Sequence, residues 1–121
     1  MATRGTYNFF KSQEDIENEE PIISIYKHWD NYPTNSKKLI EKFVNSKYSN
    51  SLNCHEIEVL ASNFLHFLKL EEGVDTTITI LSKFEPEEYN YNFLISKDGL
   101  KITYNPYHSN EQFELDELIY Y

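Results

Sequence analysis

The spacing of apolar residues changes twice along this chain of 121 residues, and that change limits the folds open to it. Between residues 34 and 70, apolar residues recur at every third or fourth position, which is typical of amphipathic helices. Before and after this stretch they recur at every second position, which is typical of strands with one buried face. The pattern therefore predicts an α+β fold in which two amphipathic helices cover one face of a sheet.

The N-terminal part predicts two strands joined by an acidic connection. Thr3–Phe10 forms the first strand, with Tyr7 and Phe9 on one face. The other face carries Arg4, Thr6 and Asn8. Lys11–Glu20 is rich in carboxylates and reads as a solvated connection. Ile22–Trp29 is then the second strand, and we expect it to pair antiparallel with the first because strands adjacent in sequence usually pair.

Two helices are predicted next, over residues 34–47 after Pro33 and over residues 54–70 before Gly73. Thr34 or Ser36 is the expected N-cap of the first helix. The predicted buried stripes are Leu39, Ile40, Phe43 and Val44, and then Ile57, Leu60, Ala61, Phe64 and Leu68. The stripe of the first helix excludes Lys37, Lys38 and Lys42, and lysines near a helix N-terminus oppose the helix dipole. They form either a local basic surface or an ordinary solvated face.

The C-terminal part predicts three strands and a terminal element that fits a helix or a strand. Residues 76–84 and 89–96 are the first two, and Asp98-Gly99 suits a tight turn before the third. The element order is ββααβββ plus the terminal element of residues 113–121. The expected sheet is mainly antiparallel, with about five or six strands. We predict a single domain over residues 1–121.

Net charge excludes some classes of partner. The formal charge is −9 and Arg4 is the only arginine, so direct binding to DNA, RNA or an anionic membrane is not expected. The acidic excess suits docking on a basic surface, or it serves solubility alone. One cysteine excludes an intrachain disulfide. The absence of an apolar run of about 18 residues, or of an apolar leader, predicts a soluble cytoplasmic protein.

The end of the second predicted strand carries the candidate site. Alternation places Tyr26, His28 and Asp30 on one face, opposite Ile25 and Trp29. A histidine flanked by a carboxylate suits a general base or an oriented ligand, and pairing of the first two strands would bring Arg4 near it. The candidate ligand- or partner-binding residues are Arg4, Tyr26, His28, Trp29, Asp30 and Tyr32. The alternative is an exposed strand end in which Trp29 anchors the core and Asp30 caps the turn before Pro33.

Other clusters predict no metal, cofactor or catalytic residue. His55 and His66 lie about three helical turns apart, too far to share one ion, and Cys54 falls near the core side. The chain has no Gly-rich phosphate loop, paired cysteines or nucleophile elbow. A tyrosine strip forms either an aromatic core or a recognition surface. Its members are Tyr89, Tyr91, Tyr104 and Tyr107.

Two segments, Met-Ala-Thr-Arg-Gly-Thr-Tyr at residues 1–7 and Tyr-Lys-His-Trp-Asp-Asn-Tyr-Pro at residues 26–33, together resemble a known family. It consists of short phage- and prophage-associated proteins of unassigned function. These open with Met-(Ala/Ser)-Thr-Arg-(Ala/Gly)-Thr-Tyr and carry Tyr-x-His-Trp-Asp-x-Tyr-Pro. Asn31 stands where that pattern usually has Gly. The resemblance covers about the first third of the chain and implies a mobile-element protein in a bacterial cytoplasm.

Three functions stay open. The leading hypothesis is a non-catalytic phage accessory or counter-defence protein that blocks a host defence component through an acidic, Tyr-rich surface. The second is a protein that sequesters a nucleotide-like signal near Arg4, His28 and Asp30. The third is an enzyme that uses His28 and Asp30 for acid–base chemistry. The sequence leaves open whether the protein forms a homo-oligomer.

Overall fold

The computed structural model describes residues 3–46, 56–72, 78–96, 99–106 and 117–120. The elements in chain order are β1 (Gly5–Phe10), α1 (Gln13–Glu17), β2 (Ile23–Lys27), α2 (Pro33–Val44), α3 (Ile57–Glu72), β3 (Ile78–Leu81), β4 (Tyr89–Ser96), β5 (Gly99–Pro106) and β6 (Glu117–Tyr120). The fold is α+β, as the sequence predicts. The acidic connection contains a short helix, α1, which starts because the Ser12 hydroxyl accepts a hydrogen bond from the Asp15 amide.

The six described strands form one sheet in the order β3-β2-β1-β4-β5-β6. Four of its pairings are antiparallel, which confirms the mainly antiparallel sheet. The pairing of β1 with β4 is parallel, with Tyr7 beside Tyr91 and Phe9 beside Phe93, and it is not among the pairings predicted from the sequence. Both strands are buried on both faces in the middle of the sheet, which is the usual environment of a parallel pair.

One face of the sheet packs against α2 and α3 through aromatic side chains. Phe9 and Phe93 lie with ring centroids 4.6 Å apart, and Phe64 of α3 contacts both rings. Phe43 of α2 meets Phe64 edge-on at 5.0 Å. The two predicted helix stripes are confirmed, because their residues are buried in this core or pack against it.

The tyrosine strip belongs to this core. Tyr91 stacks on Tyr7 at 5.2 Å and on Tyr104 at 5.3 Å, and Tyr89 is also buried. Their burial overturns the alternative of a Tyr-rich recognition surface for Tyr89 and Tyr91, and confirms the aromatic core. Tyr107 lies outside the described residues.

The opposite face of β2, β1 and β4 carries buried polar side chains joined by hydrogen bonds. Asn8 donates to the Thr6 hydroxyl at 2.9 Å and to the Asn92 side-chain oxygen at 3.3 Å, and accepts from Ser24 at 2.6 Å. Thr6 in turn donates to the Asn90 side-chain oxygen at 2.6 Å. These bonds offset the cost of burying the polar groups and fix the register of the three strands.

The ends of α2 and of the last hairpin differ in detail from expectation. Pro33 is the first residue of α2, where its missing N–H costs nothing, and the N-cap Tyr32 makes no side-chain cap hydrogen bond. The predicted caps Thr34 and Ser36 are therefore wrong. The last predicted hairpin is present: Gly99 has φ 124° and pairs with Ser96, whereas Asp98 lies outside the described residues. The terminal element is a strand over Glu117–Tyr120.

The buried tyrosines predict a loss of stability at alkaline pH. Burial raises the pKa of Tyr7 and of Tyr91 well above the ordinary value near 10. Below about pH 10 the two phenols are protonated in the folded and in the unfolded protein. Above pH 10 only the unfolded protein releases these protons. Stability should then fall by about 1.4 kcal/mol per tyrosine for each further pH unit. Urea unfolding at pH 8 and pH 11 measures this, and an unchanged pH dependence in Tyr91→Phe would contradict it.

Candidate functional site

The strand β2 ends at Lys27, two residues before the predicted end at Trp29. Strand alternation therefore does not extend to His28, Trp29 and Asp30, and Asp30 adopts a left-handed backbone with φ 60°. Trp29 is 45% exposed, so the expectation that it anchors the core is wrong. Ile25, on the face predicted to be buried, is fully buried.

Asn31 holds the chain in this turn. Its side chain is fully buried and donates to the Thr3 carbonyl at 2.6 Å and to the Lys27 carbonyl at 2.7 Å. Its side-chain oxygen accepts from the Tyr7 hydroxyl at 3.0 Å, and its main-chain carbonyl accepts from Tyr91 at 2.7 Å. Asn31 thus satisfies backbone groups of two segments and connects them to the aromatic core. In the sequence, Asn31 is notable only because it stands where the resembled pattern usually has Gly.

The N-terminal segment packs closely against this turn. The Asp30 amide donates to the Thr3 hydroxyl at 2.7 Å. A Cβ atom added to Gly5 would lie 2.5 Å from Cγ of Asn31, so residue 5 has no room for a side chain. The two segments quoted for the resemblance are therefore in direct contact, although 18 residues separate them in the sequence.

Four of the predicted site residues lie together at the end of β2. We call Arg4, Tyr26, His28 and Trp29 the aromatic rim. The Tyr26 hydroxyl and Nδ1 of His28 are 2.6 Å apart, and the His28 and Trp29 rings meet edge-on at 4.5 Å. Arg4 is exposed and lies close enough to oppose the rise in the pKa of Tyr26. The rim combines an exposed indole, an imidazole and a guanidinium.

The hydroxyl of Tyr26 occupies one ring nitrogen of His28. Burial raises the pKa of Tyr26 and outweighs the opposing charge of Arg4, so the phenol keeps its proton at neutral pH. A protonated phenol donates to Nδ1 in one tautomer of the imidazole and accepts from it in the other. In either case the contact engages Nδ1 and fixes the orientation of the ring.

The remaining two predicted residues lie apart from the rim. Asp30 lines a cavity beside α2, and in the described part of the chain no hydrogen bond or ion pair joins it to His28. Tyr32 is half-exposed and its ring meets Tyr89 edge-on at 5.6 Å. The structure therefore brings Arg4, Tyr26, His28 and Trp29 together and separates Asp30 and Tyr32 from them.

A second surface of distinct charge lies at the other end of β1 and β2. Gly5 pairs with Lys27 near the rim, whereas Phe9 pairs with Ile23 next to α1. The carboxylates of this acidic surface are Glu14, Asp15, Glu17, Glu19 and Glu20, all exposed except the half-buried Asp15. The six residues of β1, which separate the two surfaces along the sheet, span roughly 17 Å, since a strand rises about 3.3 Å per residue.

The described residues show no grouping of three or more His, Cys, Asp or Glu side chains that would hold a metal ion. His66 is exposed on α3, and Cys54 and His55 lie outside the described residues. Among the helices that the structure describes, none has the length and apolar character that a membrane span requires.

Similarity to known proteins does not indicate a function for this chain. Comparison of the chain with protein-family models, with curated proteins and with solved structures gives no match.

Proposed function

We propose that this protein is a non-catalytic binding protein of the phage accessory or counter-defence kind, which binds and blocks a host defence protein in the bacterial cytoplasm. The observation that carries the proposal is the aromatic rim, where the half-exposed Trp29 is held edge-on by His28 beside Arg4. Trp, Tyr and Arg are the residue types that dominate binding energy at protein interfaces. The resemblance of the first third of the chain to phage-associated proteins supports the cellular setting.

The hydrogen bonds of the rim support binding over catalysis. Nδ1 of His28 is engaged by Tyr26, and Lys27 holds the Trp29 backbone by donating to its carbonyl at 2.8 Å. A side chain fixed in one position loses little conformational entropy when a partner covers it. The rim is thus pre-organised as a contact surface that presents hydrogen-bond donors.

The acidic surface around α1 supports a partner with a basic surface. An interface of standard size covers about 800 Å² on each partner, which corresponds to roughly 28 Å across. A partner that extends along β1, which spans roughly 17 Å, would reach both the rim and the acidic surface within one such contact. The rim would supply most of the affinity, and the carboxylates would accelerate association with the basic partner.

The first test of this proposal replaces Trp29. Affinity capture from a bacterial lysate identifies the partner, and the dissociation constant is then measured with purified proteins. Trp29→Ala should weaken binding at least about 30-fold, because it removes a central aromatic contact of about 2 kcal/mol. Leu70→Ala is the matched control, because Leu70 is an apolar residue 56% exposed on α3. Equal affinity of the wild type and Trp29→Ala would exclude the rim as the partner-binding surface.

The contribution of the acidic surface is tested separately. Changing Glu14, Glu17, Glu19 and Glu20 to Gln should slow association and reduce its salt dependence, with a smaller change in dissociation. These residues are exposed, so the fold should be unaffected. Unchanged association would remove the acidic surface from the proposal and leave the rim as the contact.

A further inference from the structure

A cavity of about 430 Å³ lies between α2, the end of α3 and the turn after β2. Among the lining residues, Lys27 is buried and Leu39 is half-buried. Lys38, Lys42 and Asp30 also line the cavity and are exposed. Asn35 and Glu72 complete it. A volume of this size suits a small molecule.

The lining concentrates positive charge in an acidic protein. The lining includes three lysines and two acidic residues, although the whole chain carries a net charge of −9. Lys27, which is 4% exposed, donates to the Trp29 carbonyl at 2.8 Å and lies 3.4 Å from a Glu72 oxygen. Lys42 pairs with Glu71 at 2.6 Å. Lys38 is exposed and makes no ion pair with any described residue.

Two lysines of α2 differ in their ion pairing. Lys37 and Lys38 lie in the second turn of the helix, and its first turn carries no acidic residue. Lys37 has an ion-pair partner, because its ammonium lies 3.8 Å from a carboxylate oxygen of Glu41. Lys38 instead lines the cavity.

We propose that this cavity binds a phosphate-bearing small molecule through Lys38, Lys42 and Lys27. Lysine binds phosphate as a mobile point charge, and three lysines that line one cavity match a multiply charged anion better than a single carboxylate. Such an anion would compete with Glu71 for Lys42, whereas the buried Lys27 would stay with Glu72 and add its field. Asp30 and Asn35 supply hydrogen-bond acceptors for a donor group elsewhere on the ligand.

The ligand proposed for this cavity belongs to the same chemical class as the nucleotide-like signal predicted from the sequence. The cavity lies at a different place from the pocket predicted for that signal. The pocket predicted from the sequence is centred on Arg4, His28 and Asp30. Of these, only Asp30 lines the cavity. The proposal is independent of partner binding at the rim, since the rim residues Arg4, Tyr26, His28 and Trp29 are not part of its lining.

The test is titration of the full chain with inorganic pyrophosphate and with AMP, by calorimetry at constant ionic strength. The wild type should bind at least one of them saturably, with a Kd below about 1 mM. Lys38→Ala should weaken that binding at least tenfold. Lys37→Ala removes the same charge from the neighbouring position and should change the Kd less than about twofold, because Lys37 pairs with Glu41 outside the cavity.

A second pair of variants tests for a change of affinity in the opposite direction. Glu71→Gln should tighten binding about threefold, because it releases Lys42 from its ion pair. Glu58→Gln is its control, since Glu58 lies on the same helix and pairs with Lys11 instead. The four substituted residues, Lys37, Lys38, Glu58 and Glu71, are at least partly exposed, so folding should be retained. Absence of saturable binding, or equal losses in Lys38→Ala and Lys37→Ala, would overturn the site.

Discussion

Replacing Asn31 by alanine is expected to lower the free energy of unfolding by about 4 kcal/mol, a large effect for a single polar residue. The substitution removes three side-chain hydrogen bonds, to the Thr3 carbonyl, the Lys27 carbonyl and the Tyr7 hydroxyl. The two carbonyls would lose a buried donor, and each buried group left unsatisfied costs about 1–3 kcal/mol. The vacated space adds a packing cost, since Asn31 is fully buried.

Urea unfolding at neutral pH, followed by circular dichroism, measures this effect. Asn35→Ala is the matched control, because Asn35 is exposed on α2 and the same chemical change there should alter stability by less than about 0.5 kcal/mol. Similar midpoints for Asn31→Ala and the wild type would show that water replaces the lost donors. That outcome would remove Asn31 as the residue that holds the turn.

The same variant separates positioning from contact at the rim. Asn31 is buried and is not expected to touch a partner, yet it fixes the turn that carries His28 and Trp29. Asn31→Ala should therefore weaken partner binding under conditions where it remains folded, and should slow association more than Leu70→Ala does. Trp29→Ala, in contrast, should weaken binding with little loss of stability, because Trp29 is exposed.

The elements of the fold were predictable because their signals are local. The stripe that includes Leu60, Phe64 and Leu68 lies within one helix, and it is buried as predicted. The parallel pairing of β1 with β4 has no such local signal. It depends on contacts such as Thr6 with Asn90, which are 84 residues apart in the sequence. The Tyr-Asn-Tyr-Asn repeat of β4 indicates two unlike faces, but the burial of the polar face is a property of the assembled sheet.

The part of the candidate site that the pairing of β1 with β2 brings together was predictable from strand geometry. Pairing of β1 with β2 brings Arg4 to Tyr26, because Gly5 lies opposite Lys27. Alternation failed for Asp30 because β2 ends at Lys27. The central role of Asn31 could not be read from the sequence, since three of its four hydrogen-bond partners lie 24 or more positions away. An asparagine in a turn usually has only local partners.

The contact between Gly5 and Asn31 leads to the second large effect. Gly5→Ala should lower the free energy of unfolding by about 3 kcal/mol, because the new Cβ would lie 2.5 Å from Cγ and 2.6 Å from Cβ of Asn31. These atoms are held by the hydrogen bonds of a buried side chain, so they cannot move aside at low cost. The backbone of residue 5 is that of an ordinary strand, and the cost therefore arises from the contact alone.

The atoms that a Cβ on residue 5 would meet all belong to the side chain of Asn31, and glycine at position 31 would remove them. Gly5→Ala should accordingly add less than about 1 kcal/mol to the destabilisation when Asn31→Gly is already present. A double-mutant cycle by urea unfolding gives the coupling energy, which we expect to be about 2 kcal/mol or more in the compensating direction. Additive losses would contradict this, and would mean that residue 5 requires glycine whatever residue stands at position 31.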